Sequence, residues 1–220
     1  DLSPKERSHY AAIIKRTGAS LTSIINDILD VTKVEAEQLN VVMKTFSLNQ
    51  LISDIYAILR LRAEEKGVEL AFRKIGNFND VIQSDPARLR QILVNIIGNS
   101  IKFTERGYVQ VNYEIIDQKI VFTVKDTGTG ISALQMNRLF KPFSQGDNSI
   151  RKKFGGTGLG LVIAQKLAQL LNGDVKLEDS QLGQGSRFSI SIEYVPMQSV
   201  QPEIVQTSSE RLTTATNKIL

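Results

Sequence analysis

Phe154-Gly155-Gly156-Thr157-Gly158-Leu159-Gly160-Leu161 sets four glycines within six positions and then runs straight into an apolar-periodic segment. Leu161, Ile163, Ala164, Leu167, Ala168, Leu170 and Leu171 recur at helical spacing up to a turn at Asn172-Gly173. Glycines that open a helix leave its first N–H groups uncovered at the positive end of the dipole, a geometry that suits a phosphate. A plain flexible loop has the same composition, so the neighbouring motifs have to decide.

Upstream, Asp85-Pro86 reads as a helix start, followed by Leu89, Ile92, Leu93, Ile96, Ile97 and Ile101 on one side. Asn95, Asn99 and Lys102, just before Phe103 and Thr104, share another face of that helix. Two amides and an ammonium there suit a hydrated Mg²⁺ and a triphosphate, because Mg²⁺ takes oxygen ligands and keeps several waters. A solvated polar face has the same residues. Asp126-Thr127-Gly128-Thr129-Gly130-Ile131 closes an alternating strand. A carboxylate at a strand end can accept from an exocyclic amine such as adenine's, while the glycines let the backbone bend round a flat ligand. An Asx turn is the simpler reading of that stretch. Phe140-Lys141-Pro142-Phe143 could anchor a lid or be core. Arg151, Lys152 and Lys153 could meet phosphate oxygens or be solvated.

The rest of the chain supplies a scaffold. From Pro4 to about Gln38, Tyr10, Ile14, Thr17, Leu21, Ile24, Ile28 and Val31 step by four and three, a heptad seam widened by Ile13, Ile25 and Leu29. One helix cannot bury that face alone. A short strand near 41–46 then leads to Ser47, a candidate N-cap, and a helix that ends at Lys66-Gly67. Val68, Leu70 and Phe72 alternate as a strand, and Val81–Ser84 reads as another. Val109 to Ile115 and Ile120 to Val124 flank an Asp117-Gln118 turn, and Val175–Leu177 and Phe188–Tyr194 form a last hairpin. The expected organisation is a bundle helix over 1–42, an α+β domain over 45–196 with a mixed, mostly antiparallel sheet and helices on one face, and a polar linker over 197–220.

Composition narrows the classes. With 41% hydrophobic and 23% charged residues the chain is globular. Its net charge of +4 is mild, and the basic residues lack interleaved aromatics, which places nucleic-acid binding low. There is no cysteine, hence no disulfide and no thiolate metal site or nucleophile. No apolar run approaches the roughly 18–20 residues of a membrane span. The reading is a cytoplasmic fragment without membrane contact of its own, which leaves an anchor elsewhere in the parent open.

Together, in this order and spacing, these motifs resemble the ATP-binding domain of two-component sensor histidine kinases, over about Arg7 to Val195. Asn95–Thr104 is similar to that family's N box, Asp126–Ile131 to its first glycine box, Phe140–Phe143 to its F box and Gly156–Leu161 to its second glycine box. Gly183-Gln184-Gly185-Ser186-Arg187-Phe188 resembles the final strand motif, with Ser where the family often has Thr. Leu21–Glu37 resembles the second helix of the dimerisation and phosphoacceptor hairpin.

The resemblance implies a Bergerat-type α/β sandwich preceded by a bundle helix, with ATP and Mg²⁺ as ligands. Asn99 would bind the metal, and Asn95 and Lys102 would contact the phosphates and serve catalysis. Asp126 would read the adenine amine, with Gly128, Gly130, Ile131 and Ser186 about its pocket and Phe103 and Phe143 flanking the site. Arg151, Gly156, Thr157, Gly158, Leu159 and Gly160 would cradle the triphosphate under a lid spanning about 144–157. The implied partners are a second copy through the bundle helix, the histidine-bearing helix of the parent kinase, and a receiver domain or response regulator. Asn217-Lys218-Ile219-Leu220 resembles the opening of a receiver's first strand, as in a hybrid kinase.

One departure matters. The family's phosphorylated histidine stands in a His-(Glu/Asp)-x-Arg-x-Pro setting, whereas the sole histidine here, His9, is followed by Tyr10, Ala11 and Ala12. The first helix of the hairpin is therefore read as absent. Two other readings stay open at this point. One is an ATPase of the same fold group, which would carry a Glu where Asn95 stands to orient water. The other is a module that binds nucleotide, or only dimerises, without kinase activity.

Overall fold

A computed structural model describes residues 3–35, 39–142 and 158–197. The chain opens with helix α1 (Pro4–Glu35). Strand β1 (Lys44–Ser47) leads directly into α2 (Leu48–Lys66), with Ser47 as N-cap accepting from the Gln50 N–H. Gly67 ends α2 in the left-handed region at φ 65°, its N–H returning to Ala63 and Glu64. There follow β2 (Val68–Lys74), β3 (Val81–Ser84) and α3 (Pro86–Phe103). Next come β4 (Gly107–Ile116), β5 (Lys119–Asp126) and a four-residue helix α4 (Ala133–Met136). Helix α5 (Gly160–Leu170) and the hairpin β6 (Asp174–Gln181) and β7 (Gly185–Glu193) complete the domain.

Five strands form one mixed sheet in the order β2-β4-β5-β7-β6, with β2 parallel to β4 and every other pair antiparallel. The β4–β5 hairpin turns on Asp117 and Gln118 at φ 48° and 60°, the two positive φ values of a type I′ turn. The expected single sheet is in fact two, because β1 and β3 pair with each other in a separate ribbon. Helices α2, α3 and α5 pack against the large sheet, and α3 lies between the other two. Core positions on the strands alternate as the sequence pattern requires. Val109, Val111, Ile120, Phe122, Val124, Ile190 and Ile192 are buried there, against Leu89, Ile92, Leu93, Ile96 and Ile97 of α3.

On α1 the apolar side chains Tyr10, Ile13, Ile14, Leu21, Ile25 and Leu29 are exposed. His9 is exposed as well, its ring edge-on to Tyr10 at 5.9 Å. The expected helix end at 36–38, the lid over 144–157, the receiver-like terminus, and four site residues (Phe143, Arg151, Gly156 and Thr157) lie outside the described residues.

Candidate functional site

Helix α3 carries half of the site because its two ends are held. Asp85 is buried and caps the N-terminus, with Oδ1 accepting from Ala87 N–H (3.0 Å) and Arg88 N–H (3.1 Å). Its Oδ2 accepts from Val42 N–H at 2.9 Å, which ties the chain before β1 to the same helix. At the far end the Lys66 ammonium donates to three carbonyls, those of Ile101 (2.7 Å), Lys102 (2.7 Å) and Thr104 (2.8 Å). A cation there satisfies carbonyls that a helix end leaves open and meets the negative end of its dipole. The sequence reading missed this, because a lysine before a C-capping glycine looks like an ordinary terminal charge. Lys66→Met is expected to lower stability by about 1.5 kcal/mol, or roughly 3–6 °C of melting temperature, allowing for the exposure of Lys66. Thermal unfolding of the two proteins measures it, and equal melting temperatures would refute it.

Between those ends the apolar side of α3 is buried and Asn95, Asn99 and Lys102 stand half-buried on the other side. Asn95 Nδ2 donates to the Gly160 carbonyl at 3.3 Å, which joins α3 to the first residue of α5. The side-chain amide of Asn99 forms no hydrogen bond among the described residues. Burial lowers the pKa of Lys102, whose Nζ stands 5.1 Å from the centre of the Phe103 ring. Among the described residues no cluster of three or more His, Cys, Asp or Glu offers a metal cage. An Mg²⁺ ion here would therefore depend on a neutral amide oxygen and on the phosphates, and the uncommitted amide of Asn99 fits that demand.

The other half is built on the end of β5. Asp126 is 5% exposed, and its Oδ1 accepts from Gly128 N–H (2.9 Å) and Ser186 N–H (3.2 Å). Burial raises its pKa, with partial offset from the Gly128 and Ser186 N–H groups that donate to it. Past Asp126 the backbone is pressed between two neighbours. A Cβ on Gly128 would stand 2.6 Å from the Phe103 carbonyl oxygen, which itself accepts from Thr129 N–H at 3.1 Å. At Gly130, φ is 68° and a Cβ would stand 2.0 Å from the Gln181 carbonyl oxygen. Ile131 is half-buried against the core, and its N–H donates to Ser180 Oγ at 2.9 Å.

The fold thus gathers Asp126, Gly128, Gly130, Ile131 and Ser186 about one strand end and joins Asn95 to Gly160. Phe103 bridges the halves through its carbonyl. Gly158 has φ 74°, a backbone that a side chain would strain, whereas a Cβ on Gly160 would only be in ordinary contact with Asn95 at 3.8 Å. Leu159 is a core side chain, 1% exposed, so packing explains it and any part in a ligand site falls to its backbone. Ser180, which ties the glycine segment to β7, was not foreseen.

Comparison with known proteins agrees with this geometry. Residues 84–196, just over half of the chain, match the family described as histidine kinase-, DNA gyrase B-, and HSP90-like ATPase. Hybrid signal transduction histidine kinase L of Dictyostelium discoideum is 36% identical over a 196-residue alignment that covers 86% of this chain and 11% of that protein. Full-length ShkA, crystallised with AMPPNP, aligns at TM-score 0.77 with 32% identity, covering 90% of this chain and 40% of ShkA. The histidine kinase ThkA, crystallised with the response regulator TrrA, shares the fold at TM-score 0.65 and 22% identity, over 90% of this chain and 55% of ThkA. The chain spans well under two thirds of each. On the matching family, the mixed five-stranded sheet under three helices and the carboxylate-and-glycine strand end, the chain belongs to the histidine kinase-, DNA gyrase B- and HSP90-like ATPases, as a catalytic ATP-binding domain of the two-component sensor histidine kinase type.

Proposed function

We propose that this domain binds Mg-ATP and presents its γ-phosphate to a histidine on a helix outside this chain, for relay to an aspartate of a receiver. The observation that carries the reading is Asp126: a buried carboxylate at the end of β5 whose Oδ1 is held by two backbone N–H groups, with Gly128 and Gly130 next to it in the chain. In that role Asp126 accepts from the adenine amine, and Ile131 and the Gly128 and Gly130 backbone line the base. Ser186 supports it with its hydroxyl. Asn95 and Lys102 hold the phosphates from α3. Burial lowers the Lys102 pKa, and a neighbouring polyanion would raise it again, so phosphate binding and a charged ammonium would support each other. Asn99 supplies one oxygen to Mg²⁺, which when bound neutralises charge on the phosphates.

Phe103, Phe143, Arg151, Gly156, Thr157, Gly158 and Gly160 complete the proposed nucleotide site, and the exposed apolar side chains of α1 suit a homodimeric bundle. Hybrid relatives and the receiver-like terminus favour a following receiver domain. The ATPase reading is the weaker one, because Asn95 cannot take a proton at neutral pH and so cannot orient water as a Glu would. Among the described residues no helix is long and apolar enough to cross a membrane.

Phosphoryl transfer depends on a nucleophile set in line with the γ-phosphate. His9 lacks a carboxylate beside it to orient the imidazole. With γ-labelled ATP, the chain alone is expected to stay unlabelled and a separate polypeptide carrying a phosphoacceptor histidine helix to gain acid-labile label. Label on the chain that His9→Ala abolishes would overturn this, and rapid release of phosphate without acceptor would favour the ATPase.

A further inference from the structure

We propose that Lys66, at the end of α2, is a positioning residue for base recognition: through the last turn of α3 it sets the Phe103 carbonyl against the glycine segment beside Asp126. This rests on the adenine-binding reading above. Helix α3 ends at Phe103, so the carbonyls of Ile101, Lys102 and Phe103 have no N–H within the helix to accept from. Ser100, one residue earlier, is served by Thr104, whose N–H and hydroxyl both donate to its carbonyl at 3.1 and 2.8 Å. The carbonyls that follow are divided between two partners. Lys66 Nζ donates to Ile101 and Lys102 at 2.7 Å each, and to Thr104 at 2.8 Å. The Phe103 carbonyl instead accepts from Thr129 N–H at 3.1 Å. One ammonium thus holds the carbonyls on both sides of Phe103 and leaves that one to the segment after β5.

From there the connection to the carboxylate is one residue long. Gly128, next to Thr129, donates its N–H to Asp126 Oδ1 at 2.9 Å. The approach is close, since a Cβ on Gly128 would stand 2.6 Å from the Phe103 oxygen and 3.0 Å from Asp126 Oδ1. The residue that holds the carboxylate is therefore packed directly on the Phe103 carbonyl. Without the Lys66 ammonium, the carbonyls of Ile101 and Lys102 need new partners. Bonds of 3₁₀ type that tighten the last turn, or water that frays it, supply them at a helix end. Phe103 lies inside that turn, so its bond to Thr129 is lengthened or lost and Gly128 N–H shifts against Asp126. The carboxylate that would read the adenine amine is then held less firmly, although Lys66 itself touches neither.

The competing account is that Lys66 only staples α2 to α3, in which case its loss lowers global stability and leaves the folded site unchanged. Amide hydrogen exchange and ATP calorimetry on the 220-residue chain, at a temperature where each variant is folded, separate the two. Thr129 N–H reports the bond to Phe103. Thr127 N–H, bonded to the Tyr108 carbonyl on β4 at 3.2 Å, is the control at the same strand end. Lys66→Met is expected to speed exchange at Thr129 about tenfold and at Thr127 less than about twofold, and to weaken ATP about tenfold. Lys66→Arg keeps a cation at the helix end and is expected to fold even where Lys66→Met does not. Its planar fork cannot set three N–H groups from one atom, so both effects are expected there at about threefold. Equal acceleration at Thr127 and Thr129, or unchanged ATP affinity in a folded variant, would overturn the proposal and leave Lys66 as a staple. A wild type that binds no ATP would instead overturn the adenine reading itself, and the proposal with it.

Discussion

The Asp126→Asn protein is expected to bind ATP roughly a hundredfold more weakly than wild type, a loss of about 2.7 kcal/mol, while melting no lower at neutral pH. Affinity falls because the substitution exchanges an acceptor for a donor. The asparagine carbonyl can keep the bonds from Gly128 and Ser186 N–H that Asp126 Oδ1 now accepts. Its NH₂ then takes the place of the second carboxylate oxygen and faces the amine of the base, donor against donor. Stability moves the other way because the carboxylate is costly to bury. Calorimetry with ATP and thermal unfolding without it read the two effects separately. Unchanged ATP affinity in the variant would remove Asp126 from the base site.

The same residue gives a pH dependence whose sign follows from its burial. Asp126 has a raised pKa in the folded protein, so the native state holds this proton more tightly than the unfolded chain does. Stability from that group is fully present below the ordinary aspartate pKa and is lost as pH rises through the raised native value. Asparagine does not titrate. The melting-temperature advantage of Asp126→Asn should thus be present above the native pKa and shrink as the solution is acidified across that window. A constant difference across the titration would show that the carboxylate is as well solvated in the fold as out of it.

Local chemistry was legible in the sequence, and long-range pairing was not. Ser47 as N-cap, Lys66-Gly67 as a helix stop, Asp85-Pro86 as a helix start and Asp117-Gln118 as a hairpin turn all act within a few residues of themselves, and each is found in place. The expected strand near 41–46 lies at Lys44–Ser47, where pairing with Val81–Ser84 fixes its register. That partner is far off in sequence, so nothing local announced a separate two-stranded ribbon. The loosened stretch after Ile131 contains a short helix whose capping box, Ser132 with Gln135, was there to be read. The motif residues stood out only through their order and spacing along the chain, since each motif alone reads equally well as a polar face or an Asx turn. Lys66 and Ser180 did not stand out. Their partners at Ile101–Thr104 and at Ile131 and Ser186 become neighbours only once α2 meets α3 and β6 meets the strand end.

Two glycines two residues apart in the last hairpin should respond very differently to alanine. Gly183 has φ 76° but open space round it, with nothing within 4 Å of an added Cβ. Gly185 has φ 101°, and its Cβ would stand 2.0 Å from the Asp126 carbonyl oxygen and 2.9 Å from Thr127 Cα. At Gly183 only the left-handed backbone is penalised, about 1–2 kcal/mol. At Gly185 the same penalty is joined by overlap with backbone atoms of a neighbouring segment, which cannot swing aside as a side-chain end can. Gly185→Ala is therefore expected to cost about 4 kcal/mol, enough to shift the unfolding midpoint by roughly 8–16 °C or to prevent folding. The site should suffer with the fold, because relieving the clash pushes β7 away from the strand end and draws Ser186 N–H off Asp126 Oδ1. Denaturation of both variants tests the contrast directly. Equal costs at the two positions would mean that backbone strain alone, and not the close approach of β7 to the end of β5, makes these residues glycine.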